Sequence, residues 1–501
     1  MNDRNVTDDL ATAHERAIER ATDGRRFAAW IDGSAHEAAS GATFATRDPA
    51  TDTPITTVPR CDEPEIDAAV EAARTAFEGA WSALSHEERA DRLLEWADRL
   101  TRHTDELALL ECLDTGKPLE FAEAEIREGI GYIEYYAHLL HGDTDERVPI
   151  DGETHAYTRE EPYGVAGLIV PWNYPVLLSC WKLGPALAAG NSVVLKPAEL
   201  TPLTATRFAQ LAEGLLPPGT LNVVHGLGDE AGSALTGHPG IDKLSFTGED
   251  TTGEIVMGAA AEHITPVTLE LGGKSPFVVF PDADLEATAA TAAEGILYNA
   301  GQSCDALSRT LVHEAVHDEF LERFVSAAAE WTVGDPLAED TTIGPLASEQ
   351  QLETVHEYIE LGRESDAELV TGGDSSDGAD VGWFVEPTVF DGVANDSRLA
   401  QEEIFGPVAS VVSFGSYDEA IELANDVDYG LAAAIATEDL SLAHRAAADI
   451  EAGTVWVNDY ARFSPGLAFG GFKRSGIGRE CGPEALNEYR QQKTVTIALN
   501  G

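Results

Sequence analysis

Lysine is nearly missing from this chain: 501 residues carry only Lys117, Lys182, Lys196, Lys243, Lys274, Lys473 and Lys493. Lysine and arginine together number 32 against 88 aspartates and glutamates, a formal charge of -56. Nucleic-acid binding is excluded on that balance, because phosphate contacts need clustered basic side chains. Cysteine is scarce as well. Cys61, Cys112, Cys180, Cys304 and Cys481 are odd in number and scattered without metal-ligand spacing, which argues against a disulfide framework and against any metal site. No run of about 18 apolar residues exists, and Met1 to Leu10 is polar and acidic, so neither a membrane span nor a secretory leader is predicted. These absences predict a soluble protein of a reducing cytoplasm, where a free thiol survives.

What is present begins with the acidity itself, which is spread along the chain. In dilute buffer such self-repulsion weakens the compact state, whereas at about 1 M salt the Debye length falls to about 3 Å and the repulsion is screened. The reading is adaptation to a salt-rich cytoplasm; a surface made for cationic partners would set an acidic block apart, and none stands apart. With 43% hydrophobic residues the chain can bury large cores, and its length implies more than one domain.

From Gly164 to Glu270 short apolar runs alternate with helical patterns. The runs are Gly164 to Val170, Ser192 to Lys196, Leu221 to Val224, Lys243 to Phe246 and Val267 to Glu270. The clearest helical stretch, Pro202 to Leu216, follows Thr201 and stops at Pro217-Pro218-Gly219. This alternation predicts a parallel sheet with helices on both faces and ligands beyond the carboxyl ends of its strands. Asn173, Lys196, Glu199 and Gly248 fall at or just after such ends. A second alternating segment runs from Pro276 to about Phe469, with strands expected at Phe277 to Phe280, Thr310 to His313, Val408 to Phe414 and Thr454 to Val457. Residues before Asp143 read as mostly helical, Asp374 to Asp380 as a solvated loop, and His155 to Arg159 with Thr494 to Leu499 as strands outside both sheets.

Two segments carry chemistry. Glu270 stands in Leu269-Glu270-Leu271-Gly272-Gly273-Lys274-Ser275-Pro276, and Cys304 closes Gly301-Gln302-Ser303-Cys304. A thiolate attacks a carbonyl carbon readily, and a positioned carboxylate can activate the water that releases the resulting thioester. With Pro171-Trp172-Asn173, Lys196-Pro197-Ala198-Glu199, Phe246-Thr247-Gly248, Glu402-Glu403-Ile404-Phe405-Gly406-Pro407 and Phe469-Gly470-Gly471 in this order, the chain resembles the NAD(P)-dependent aldehyde dehydrogenase superfamily from about Phe27 to its C-terminus.

The resemblance implies an α/β fold of two parallel-sheet, Rossmann-like domains plus a small β oligomerisation arm. It places an NAD-binding domain at 1–142 and 162–270, a catalytic domain at 271–470 and the arm at 143–161 and 485–501, in a homodimer or homotetramer. The implied activity is oxidation of an aldehyde to an acid through a cysteine thiohemiacetal and thioester. Cys304 is the implied nucleophile, Glu270 the general base, Asn173 an oxyanion donor with the Cys304 N–H, and Lys182 a cofactor contact with a disputed part in proton relay. A pyrophosphate is expected near Gly248 to Gly253, at a helix start where backbone N–H groups and the dipole favour an anion. Glu249 departs from the usual Ser there, and such a carboxylate must turn to solvent or be screened.

Lys196 and Glu199 resemble the pair that holds the adenosine ribose. A carboxylate there repels a 2′-phosphate, so NAD is expected over NADP, and a kcat/KM higher for NADP would refute this. Glu403 and Phe405 match positions that hold the nicotinamide ribose and ring, and Trp172 and Gly272 complete the implied cofactor set. Gly226-Leu227-Gly228 satisfies a loose dinucleotide fingerprint, but a simple turn explains Gly228 as well. Lys117 and Lys243 fit structural roles as readily as functional ones.

Asp305, beside the nucleophile, disfavours a second negative charge. Either it points away or the resting thiol is less ionised than usual. Tyr174, Trp181, Tyr298 and Phe469 match positions lining the aldehyde tunnel. Such aromatics can hold a quaternary ammonium, as for betaine aldehyde, and suit ordinary aldehydes equally. A CoA-acylating semialdehyde dehydrogenase often lacks the general base, so Glu270 favours hydrolysis; a non-catalytic relative would be expected to lose Cys304 or Glu270.

Overall fold

The computed structural model describes residues 3–144, 146–374 and 381–499. Its larger sheet has eight strands in the order Ser34–His36, Ala29–Ile31, Leu221–Val223, Ser192–Lys196, Val165–Ile169, Lys243–Thr247, Val267–Glu270, Gly476–Ile477. The five strands from Leu221–Val223 to Val267–Glu270 run parallel, and Ala29–Ile31 and Gly476–Ile477 close the edges antiparallel. The chain starts this parallel set in the middle, at Val165–Ile169, winds outward through Ser192–Lys196, then returns to lay Lys243–Thr247 on the other side. That reversal opens a crevice at the carboxyl ends of Val165–Ile169 and Lys243–Thr247, the place where such sheets take ligands.

The second sheet has seven strands in the order Glu368–Thr371, Thr388–Asp391, Val408–Phe414, Arg309–His313, Pro276–Val279, Ala432–Ala436, Thr454–Val457, parallel except for the first. Its core strands are buried on both faces, which is why they read as unbroken apolar runs. A third sheet stands apart: Arg490–Ala498 pairs antiparallel along nine residues with Thr154–Pro162, which pairs in turn with Glu146–Val148.

The differences from expectation are informative. The stretch before Asp143 is mostly helical, as expected, but it also carries strands. Ala29–Ile31, Ser34–His36, Thr43–Asp48 and Thr53–Pro59 are strands, two joining the large sheet and two forming a hairpin. The helix expected to Leu216 ends at Leu211, after which Ala212 to Leu216 make turns before Pro217. Of the loop from Asp374 to Asp380, only Asp374 lies among the described residues. No helix among the described residues is long and apolar enough to cross a membrane.

Candidate active site

Beyond Val165–Ile169 the chain turns through Trp172, Asn173 and Tyr174 into the helix Pro175–Ala189, whose N-cap residue Tyr174 offers no side-chain cap. Other elements meet the helix's first amides: Leu177 N–H donates to Glu125 at 3.2 Å and Val176 N–H to Glu111 at 3.4 Å. The turn is also tied to the segment before Cys304. Asn173 Nδ2 donates to the Gln302 carbonyl at 2.9 Å, Asn299 Nδ2 donates to the Asn173 carbonyl at 3.1 Å, and the Tyr174 and Ser303 hydroxyls meet at 2.5 Å. Asn299 and Ala300 adopt φ of 51° and 55°, left-handed values that cost free energy in non-glycine residues and that the surrounding bonds hold in place. Asn173 and Cys304, distant in sequence, thus become neighbours through a rigid double turn.

Cys304 and Glu270 line one cavity of about 300 Å³, together with Tyr174, Trp181, Tyr298 and Phe469. All four aromatics proposed from the sequence face it. Glu270 ends its strand 5% exposed, and neither carboxylate oxygen has a hydrogen-bond partner among the described residues. Gly470 makes room for it: at φ 151° a Cβ there would sit 2.6 Å from Glu270 Oε1. Burial pushes the Glu270 carboxyl well up, Glu480 adds to the rise, and Lys182 and Arg479 oppose it.

Cys304 alone among the five cysteines is not buried. Its thiol is nevertheless pushed well up, first by desolvation, then by Asp305, Glu403 and Glu270. Asp305, itself raised by burial to about 6, lines the same cavity. Asp305 thus does not point away from the site, and its charge adds to the desolvation that pushes the Cys304 thiol up. Lys182 is set back from the cavity. Its ammonium donates to Ser245 Oγ at 2.9 Å and ion-pairs with Glu480, so it reaches Glu270 through its charge.

The crevice residues fit a dinucleotide. Lys196, buried at its strand end, lies 3.7 Å from the half-exposed Glu199 carboxylate. The helix Asp250–His263 starts after Gly248 with no side-chain cap from Glu249, which is exposed as an anion site there requires. Gly253 packs on Leu271 inside that first turn, and Asp250 is paired with Arg474. Glu403 accepts from Gly273 N–H at 3.0 Å, and a Cβ on Gly272 would collide with its carboxylate. Phe405, at φ 59°, sets its ring edge-on to Trp172 with centroids 5.2 Å apart. Gly228 behaves differently. It opens a five-residue π-helical turn and not the long helix of a dinucleotide fingerprint, so the turn explanation applies.

Sequence reasoning missed part of the cavity. Glu125, Glu128, Glu294, Asp459, Tyr460 and Phe463 also line it, with Arg462 as the one basic lining residue, bonded to Asp459 at 2.6 Å. Asp459 and Tyr460 follow the carboxyl end of Thr454–Val457, so the strand-end rule could have found them.

Comparison with known proteins points to one family. The profile of the aldehyde dehydrogenase family matches residues 36–495. The chain is similar to mitochondrial aldehyde dehydrogenase family 2 member B4 of Arabidopsis thaliana, 48% identical over 477 residues that cover 94% of this chain and 88% of that protein. Among solved structures it is similar to an indole-3-acetaldehyde dehydrogenase complexed with NAD+, with TM-score 0.95, 43% identity and coverage of 97% and 99% of the two chains. The NAD+ complex of an aldehyde dehydrogenase from Bacillus cereus gives TM-score 0.94, 42% identity and coverage of 96% and 98%.

Proposed function

Since this chain belongs to the aldehyde dehydrogenase family, oxidoreductases acting on the aldehyde group, we propose that it oxidises an aldehyde to a carboxylic acid with NAD through a covalent bond to Cys304. The observation that carries the mechanism is the shared cavity of Cys304 and Glu270, with both Glu270 oxygens unclaimed. Cys304 Sγ, once deprotonated, bonds to the carbonyl carbon, and the π pair moves to oxygen. The Asn173 side-chain amide donates one N–H to Gln302, and its second N–H would meet that oxygen beside the Cys304 N–H. Loss of one such donor costs about 10²–10³ in rate. Lys196, Glu199, Gly248, Gly253, Glu403 and Phe405 would hold the dinucleotide, which when bound supplies the hydride acceptor that turns thiohemiacetal into thioester. Glu270 then takes a proton from water as the water adds to the thioester carbon, acid leaves and the thiolate returns. Replacement Cys304→Ser is expected to abolish aldehyde-dependent NADH formation while leaving NAD binding intact; parental turnover would remove Cys304 from the reaction.

The same reading extends to substrate. The lining aromatics Tyr174, Trp181, Tyr460, Phe463 and Phe469, with Glu128, Glu294 and Asp459 and a single arginine, favour a cationic aldehyde such as betaine aldehyde. Betaine aldehyde should exceed its neutral isostere 3,3-dimethylbutanal in kcat/KM by tenfold or more, about 1.4 kcal/mol; equal values would refute the preference. The nine-residue pairing of Thr154–Pro162 with Arg490–Ala498 supports an oligomerisation arm, in a homodimer or homotetramer whose size light scattering would give.

A further inference from the structure

Lys117 is one of the seven lysines, and the chemistry above leaves it without a task. It follows the helix Thr104–Thr115, is 2% exposed, and sends its ammonium beneath the Asn173–Tyr174 turn. There Nζ ion-pairs with Glu125, donates to the Asn173 carbonyl at 3.1 Å, and lies 4.2 Å from the centre of the Tyr174 ring. Glu125 in turn accepts from Leu177 N–H at 3.2 Å. The pair therefore grips the turn and the helix start that follows it from one side.

A buried ion pair is weak evidence for stability, because packed apolar residues of similar volume serve as well and avoid desolvating two charges. What this pair adds is direction. The Asn173 carbonyl has two acceptor sites, and Lys117 Nζ and Asn299 Nδ2 take both at 3.1 Å. With that oxygen held twice, the peptide plane after Asn173 cannot rotate without breaking both bonds. We infer that Lys117, with Glu125 as its counter-charge, is a positioning residue that fixes Asn173 so that its free side-chain N–H meets the developing oxyanion. The inference rests on the reading of Asn173 as an oxyanion donor.

The test is a double-mutant cycle on the NADH burst, measured at saturating aldehyde with Lys117→Met, Asn173→Ala and the double variant. Groups that act through one another are non-additive, whereas independent effects multiply. Lys117→Met is expected to slow the burst roughly 10- to 100-fold in the parent, the scale of an ångström-sized misplacement. In the Asn173→Ala background it should slow it by less than about twofold, with the Kd for NAD unchanged in every variant. An equal slowing in both backgrounds, as a general loss of structure would give, overturns the inference, and so does a parental burst in Lys117→Met. Glu125→Gln, which keeps the shape and removes the counter-charge, carries the same cycle if Lys117→Met does not fold. If Asn173→Ala itself keeps the parental burst, the oxyanion reading fails, a result separate from the others.

Discussion

At the scale of single residues, the site contains its own brake. Cys304 must lose a proton to attack, yet burial and the carboxylates of Asp305, Glu403 and Glu270 all hold its thiol up. Asp305, its own carboxyl raised by burial to about 6, ionises as pH rises through that region and then opposes thiolate formation. Activity should therefore rise as pH increases above neutral. Asp305→Asn removes a negative charge beside the sulfur and must lower the thiol pKa, shifting the pH profile of Cys304 alkylation toward acid; an unmoved profile would show that Asp305 does not act on the sulfur. Cys304 and Glu270 were legible as candidates because thiol and carboxylate lie in segments with a familiar surrounding pattern, and the structure brings both to one cavity. The acidic lining was not, because in a chain with 88 carboxylates nothing in the sequence separates Glu128 or Glu294 from a solvated surface charge.

At the scale of elements, the strands buried on both faces were the legible ones. Ser192–Lys196, Val267–Glu270 and Val408–Phe414 fall where the apolar runs place them, because a parallel strand inside two helical layers has no polar face to break its pattern. Ala432–Ala436 escaped notice since a run of alanines reads as helix, and only its place between Pro276–Val279 and Thr454–Val457 makes it a strand. Ser34–His36, Thr43–Asp48 and Thr53–Pro59 were hidden for the opposite reason, as partly exposed edge or hairpin strands with little apolar signal, and the buried Ala29–Ile31 is only three residues long. The Asn173 turn shows what a sequence cannot carry. Its partners come from two distant segments, Lys117 with Glu125 and Asn299 with Gln302, and no local pattern announces that they converge.

At the scale of the whole molecule, two features govern behaviour. The charge of -56 is one, and we propose that it suits the protein to a salt-rich interior. Raising KCl from about 0.1 M to about 1 M shortens the screening length from about 10 Å to about 3 Å, so Tm should climb across that range. A flat or falling Tm would show that self-repulsion does not limit this fold. The other feature is the meeting of two sheets at one cavity, where Glu270 ends a strand of the first and Cys304 precedes a strand of the second. The most direct test of the covalent account is rapid-quench mass spectrometry of the Glu270→Gln enzyme mixed with NAD and aldehyde. The account predicts a single acyl mass on Cys304 that accumulates as one equivalent of NADH appears, with steady turnover reduced about 10²–10⁴-fold. Parental turnover with no adduct on Cys304 at any time would contradict it.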